Sequence, residues 1–179
     1  MRNLECEKRV MLNFEQYQHL LAEYMAKDPH FSYLEIENIY LDDDKGNIHR
    51  NHNVLRIRKT NGKNEELTLK IKGDNGDIEI NETLSSHPEI DKELNISFTN
   101  FHKVTSLRTN RLEAHIKDYL VVIDQNIYNG IIDYDLEVEA SSVQKAAKII
   151  LEICQKHNIE YKKEYLSKSA RAFNSIKDK

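Results

Sequence analysis

Along most of this chain apolar and polar residues alternate with a period of two, the spacing of a strand with one buried face and one wet face. Leu67-Thr68-Leu69-Lys70-Ile71-Lys72 is the cleanest case. The same rhythm runs through Leu4–Leu12, Phe31–Asp42, Asn53–Thr60, Ile78–Ile80, Lys103–Ile116, Tyr119–Tyr128 and Ile131–Ala140, which makes eight predicted strands. Asn61-Gly62-Lys63, Asp74-Asn75-Gly76 and Asn129-Gly130 supply residues that tolerate tight hairpin turns between neighbours. Four segments break the rhythm. Asn13–Lys27 spaces Phe14, Tyr17, Leu20, Leu21 and Tyr24 as a helical stripe behind an Asn cap. His87–Asn100 opens at Pro88 and predicts a short helix. Ser142–His157 gathers Val143, Ala146, Ala147, Ile149, Ile150, Ile153 and Cys154 behind a Ser cap. Leu166–Ile176 predicts a basic C-terminal helix. Strands joined by short turns form an antiparallel sheet, and the helices make the fold class α+β.

Composition narrows this further. Of 179 residues, 39% are apolar and 31% charged, enough for one core and too few for two, so residues 1–179 are read as a single domain. Lys and Arg total 26 against 30 Asp and Glu, a net charge of -4. That balance argues against a sequence-independent grip on nucleic acid, which draws on a basic excess. Runs such as Leu120-Val121-Val122-Ile123 are far too short to cross a membrane, and Met1–Arg9 has no apolar signal core, so the expectation is a cytoplasmic chain. Cys6 and Cys154 are too few for a disulfide framework. The Gly-x-x-x-x-Gly-Lys phosphate loop is missing, which excludes P-loop chemistry.

The charged positions carry the candidate chemistry. Residues at i, i+2 and i+4 of a strand share a face. Glu5, Glu7 and Arg9 therefore lie together, as do Arg56 and Arg58, Thr68, Lys70 and Lys72, Arg111 and Glu113, Val122 and Asp124, and Asp135, Glu137 and Glu139. One such face is ordinary in an antiparallel sheet. As a set they point elsewhere. Stacked carboxylates repel unless a cation lies between them. Carboxylates beside clustered Arg and Lys suit a metal–polyphosphate complex, in which carboxylate and phosphate oxygens share a Mg²⁺ ion while guanidinium forks and ammonium groups neutralise the rest. A barrel closed with these faces inward is a polar tunnel, its outside covered by the amphipathic helices.

At these residues the sequence resembles the CYTH superfamily of triphosphate tunnel metalloenzymes, most of all its small, adenylate cyclase-like bacterial members. The hallmark Glu-x-Glu-x-Lys reads Glu5-Cys6-Glu7-Lys8-Arg9, with Arg at the usual Lys position. Further similarities follow in order at Asn38–Asp42, Leu55–Arg58, Leu67–Lys70, Thr109–Glu113, Val122–Asp124, Asp135–Glu139 and Leu166–Ser169. The resemblance implies an eight-stranded antiparallel closed β-barrel with flanking helices. It implies a metal-dependent hydrolase, using Mg²⁺ or Mn²⁺, whose partner is inorganic triphosphate or another triphosphate-containing small molecule. Glu5, Glu7, Asp124, Glu137 and Glu139 would hold metal, with Glu5, Glu7, Glu137 and Glu139 as the catalytic set. Arg9, Arg56, Arg58, Lys70, Arg111 and Lys168 would grip the triphosphate, and Glu79 and Glu113 match acidic tunnel positions. Lys168 and Arg171, at i and i+3, would both face the tunnel mouth. The same tunnel admits two alternatives: cyclisation of ATP to cyclic AMP, and binding of polyphosphate or nucleotide without catalysis. A monomer or a homodimer is expected. His49 and His52, beside Arg50, read as a solvated loop, and Cys6 and Cys154 as packing residues.

Overall fold

The computed structural model describes residues 2–61, 63, 65–73, 76–83, 100–162 and 165–177. In chain order these form β1 (Arg2–Glu5), β2 (Glu7–Leu12), α1 (Phe14–Lys27), β3 (Ser32–Asp42), α2 (Asn47–Arg50), β4 (Val54–Thr60), β5 (Glu66–Ile71) and β6 (Asp77–Thr83). There follow β7 (His102–Ile116), β8 (Tyr119–Tyr128), β9 (Ile131–Glu139), α3 (Val143–Lys156) and α4 (Lys168–Lys177). The helix expected over His87–Asn100 lies outside the described residues except for Asn100.

One antiparallel sheet runs in the order β1-β6-β5-β4-β3-β7-β8-β9-β2. Its two end strands are halves of the single strand expected over Leu4–Leu12, interrupted at Cys6. The first half pairs with β6, Asn3 opposite Glu79. The second pairs with β9, Arg9 opposite Glu137. One short segment thus borders both edges of the sheet and curls the eight antiparallel strands into a barrel. Closure is partial, because pairing changes edge at Cys6 instead of following one continuous ladder. The Ala140 N–H donates to the Cys6 carbonyl at 3.1 Å and ties the crossing point to the end of β9.

Local chemistry explains the individual elements. Asn13 accepts a hydrogen bond from the Gln16 N–H while the Gln16 side chain accepts from the Asn13 N–H, a reciprocal cap that starts α1. Ser142 accepts from the Lys145 N–H and starts α3. Asn129 and Gly130 take φ of 48° and 85°, the left-handed pair that a two-residue hairpin needs between β8 and β9.

The apolar outer face of β2, β7, β8 and β9 packs beneath two helices. Val10, Leu112, Val121, Ile123, Leu136 and Val138 meet Leu20 and Tyr24 of α1 and Ile150 and Cys154 of α3. On the other half, Leu41, Leu55, Leu67 and Leu69 form a second cluster with Ile48 and Phe101 against it. α4 goes inside. Its Ala172 packs against Tyr40, Leu107 and Tyr128, with Phe173 alongside. Those three strand residues share their faces with Asn38, Thr109 and Asn126, so α4 fills one end of the bore with an apolar plug and leaves the remainder polar.

Candidate active site

Between the inner faces lies a cavity of about 480 Å³. Glu5, Glu7, Arg9, Arg56, Arg58, Lys70, Arg111, Glu137, Glu139 and Lys168 all line it, so ten of the eleven residues expected to hold metal or triphosphate come together, with Glu79 beside them. Asp124 stands behind the lining, fully buried. Glu113 is an ion-pair partner of Arg111 at 3.6 Å. The alternation of each strand aims these side chains inward, and the split at Cys6 preserves this, since Glu5 and Glu7 flank it and both reach the cavity.

At one side of the cavity the acids of β1, β2 and β9 converge. Glu7 sits directly opposite Glu139 in the ladder, a like-charge pairing that costs stability unless a cation bridges it. The Lys70 ammonium donates to Glu5 at 2.6 Å and to Glu7 at 3.2 Å. This holds Glu7 below the usual carboxylate range despite burial. Glu5 is different. Burial pushes its carboxyl up to about 7 against the pull of Lys70, with a hydrogen bond to Glu79 and repulsion from Glu7 adding to the rise. Burial also raises Glu139, helped by Glu7 and Glu137. Lys70 alone does not neutralise this group of acids.

The opposite wall is cationic. Arg56 reaches Glu79 at 3.3 Å and holds it at about 2 in spite of burial. Arg58 donates from Nε to Asn38 at 3.1 Å, and among the described residues no carboxylate lies within ion-pair distance of it. Burial, then repulsion from Arg56 and Arg111, lowers its guanidinium to about 10. It remains charged at neutral pH, at an energetic cost that an incoming anion would relieve.

Deeper, toward α4, charges are matched. Carboxylate oxygens of Asp124, Asp135 and Glu137 lie within 4.8 Å of one another. Arg111 grips Asp124 with two parallel bonds of 2.9 and 2.8 Å, and reaches Glu137 at 3.2 Å. Lys168 pairs with Asp124 and donates to Glu137 at 2.9 Å. Arg9 pairs with Glu137 from the facing strand. These cations hold Glu137 well below the carboxylate range although it is buried.

Other residues play parts that sequence reading did not assign. Asp135, fully buried and raised by that burial, pairs with Arg171, which also reaches Asp133 at 2.6 Å. Arg171 therefore anchors α4 and does not line the cavity as Lys168 does, so the expectation that both face the mouth is corrected. His49 and His52 both border the cavity: His49 is half-buried and stacked on Phe173 at 4.2 Å between ring centroids, which the solvated-loop expectation missed, while His52 is exposed as expected. Buried Asp42 places His49 by accepting from the Ile48 and His49 N–H groups at 2.9 and 3.0 Å.

Fold and lining together define a partly closed antiparallel barrel with an ionised bore. Residues 3–173 match the CYTH domain, and the chain belongs to that family. It is 26% identical over 171 residues to the proposed triphosphatase YjbK of Bacillus subtilis (strain 168), covering 88% of each chain. Among solved structures, a proposed adenylate cyclase from Bacillus halodurans aligns with a TM-score of 0.82 at 24% identity, covering 96% of this chain and 98% of that one. HpAC1 from Hippeastrum, a proposed adenylyl cyclase described as having a dominant triphosphatase activity, aligns with a TM-score of 0.76 at 18% identity, covering 97% and 96%. The structural likenesses establish the shared fold. No helix among the described residues is long and apolar enough to cross a membrane.

Proposed function

We propose that this chain is a metal-dependent hydrolase of inorganic triphosphate or a triphosphate ester. The carrying observation is one cavity lined by the carboxylates of Glu5, Glu7 and Glu139 and by Arg56 and Arg58, in which Glu139 and Arg58 have no ion-pair partner among the described residues. Glu5, Glu7 and Glu139 are hard oxygen donors suited to Mg²⁺ or Mn²⁺. A divalent ion held there would neutralise phosphate charge and acidify a bound water. Glu137 borders this set, while Asp124 orients Arg111 and Lys168. Arg56, Arg58, Arg111 and Lys168 fix the non-bridging phosphate oxygens and Arg9 and Lys70 steady the acids. The water oxygen bonds to the terminal phosphorus, the bond to the bridging oxygen breaks, and that oxygen leaves on the diphosphate portion. Glu139, which makes no ion pair among the described residues, accepts the proton.

The relationship to YjbK supports this reading. The test is incubation with triphosphate and with ATP, each with Mg²⁺ and Mn²⁺, followed by assay of orthophosphate and cyclic AMP. Metal-stimulated orthophosphate release is expected. Cyclic AMP as the main product from ATP, or tight triphosphate binding without turnover, would overturn the assignment. Glu137→Gln should lower turnover by roughly a hundredfold while binding of triphosphate changes far less.

A further inference from the structure

On the far side of the barrel wall, where α1 and α3 cover the sheet, two imidazoles converge on one carboxylate. His19 and Glu23 are i and i+4 on α1, and His157 caps the C-terminus of α3. The Nε2 atoms of His157 and His19 lie 3.3 and 3.8 Å from the same oxygen, Oε2 of Glu23. Tetrahedral coordination at the usual 2.0–2.1 Å keeps ligand atoms about 3.3 Å apart. The three ligand atoms here lie within 4.8 Å of one another, so rotation of His19, the exposed member, can bring them to that spacing, with water in the fourth position.

The other carboxylate oxygen is taken. Oε1 of Glu23 accepts from Lys27 at 2.5 Å and from Lys156 at 2.6 Å. The two ammonium groups fix the carboxylate as outer partners do, and leave Oε2 facing the imidazoles. They also oppose an incoming dication, which sets a modest affinity. We propose that His19, Glu23 and His157 form a binding site for a borderline transition-metal dication, Zn²⁺, Co²⁺ or Ni²⁺, that clips α1 to α3. Imidazole ligands favour these ions over the Mg²⁺ or Mn²⁺ suited to the carboxylate-lined bore, so the two sites differ in metal preference.

The test is titration of the full-length, metal-stripped chain with Zn²⁺ by calorimetry, in excess Mg²⁺ so that the bore's carboxylates are already engaged. Co²⁺ in place of Zn²⁺ gives visible d–d bands as a second readout. One Zn²⁺ per chain is expected under Mg²⁺, weakened at least about tenfold by His19→Ala or His157→Ala. His19 is exposed, so its variant keeps the fold even where that of His157 does not. Lys156→Gln should tighten Zn²⁺ severalfold by removing a repelling charge. Unchanged Zn²⁺ affinity and Co²⁺ spectrum in His19→Ala, or unchanged affinity in Lys156→Gln, would overturn the proposal.

Discussion

Arg58 holds its charge in a buried setting with Asn38 as its one hydrogen-bond partner among the described residues, whereas Arg9, Arg56 and Arg111 each have a carboxylate. Removing it should therefore weaken substrate binding more than it damages the fold. Arg58→Ala is expected to raise the KM for triphosphate by roughly tenfold to a hundredfold, about 1.4–2.7 kcal/mol, with a smaller change in kcat. Steady-state kinetics check this, and an unchanged KM would remove Arg58 from the phosphate grip. Glu5 makes the matching prediction for the acids. A proton and a metal compete for a carboxyl raised from 4.5 to about 7. At limiting Mn²⁺, turnover should climb as pH passes through about 7, and saturating Mn²⁺ should move that limb to lower pH. Without metal the same shift acts on stability in the opposite direction. The folded chain binds the extra proton between 4.5 and about 7, so this contribution is full below 4.5 and is lost as pH rises through about 7. A pH series of urea melts followed by circular dichroism would reveal it as a slope that Glu5→Gln reduces, with the raised Glu139 and Asp135 supplying the remainder.

At the scale of the element, α4 is held by an ion pair on its inner side as well as by the packing of Ala172 and Phe173. Arg171→Ala would take the nearest cation from Asp135 and leave it Lys168 at 3.4 Å and Arg9 at 4.0 Å, a change expected to cost about 1–3 kcal/mol. Asp135→Asn in the same chain should recover part of that loss, and failure to recover any would mean that Arg171 acts through packing alone. This helix also shows where sequence reading stops. Its basic, amphipathic pattern was legible, and so were the strands, because period-two alternation survives whatever the sheet does next. Insertion into the bore was not legible, since it depends on Tyr40, Leu107 and Tyr128 sharing the inner face at one end, which only the register fixes. Leu4–Leu12 alternates without a break, so nothing in it marks Cys6 as the point where pairing changes edge. α2 is four residues placed by the side chain of Asp42, a contact over six and seven positions that propensity does not register. Asp135 reads as one more acid in a row, and its separate duty follows from the position of Arg171.

Across the whole molecule, the barrel surrounds one space with acids and bases that are only partly paired. The end strands β1 and β2, with β9 beside β2, carry most of the acids and strands β4, β5 and β7 carry most of the bases, and partial closure through Cys6 sets them around one space. Each population is costly alone, because like charges crowd in a partly dry bore. A divalent cation relieves the acids, a triphosphate relieves the guanidinium wall, and the two ligands attract each other. Their effects on stability should therefore exceed the sum of the parts. Ligand at about a hundred times its Kd stabilises a native chain by about 2.7 kcal/mol, and a chain of this size gains about 2–4 °C in Tm per kcal/mol. Mn²⁺ with a slowly hydrolysed triphosphate analogue should raise Tm by well over the sum of the separate shifts, while in Arg58→Ala the excess should shrink toward zero. Thermal melts by circular dichroism, four per variant, measure this directly. Strict additivity in the unsubstituted chain would mean that metal and phosphate occupy separate, uncoupled places, and the picture of one bore balancing both would fail.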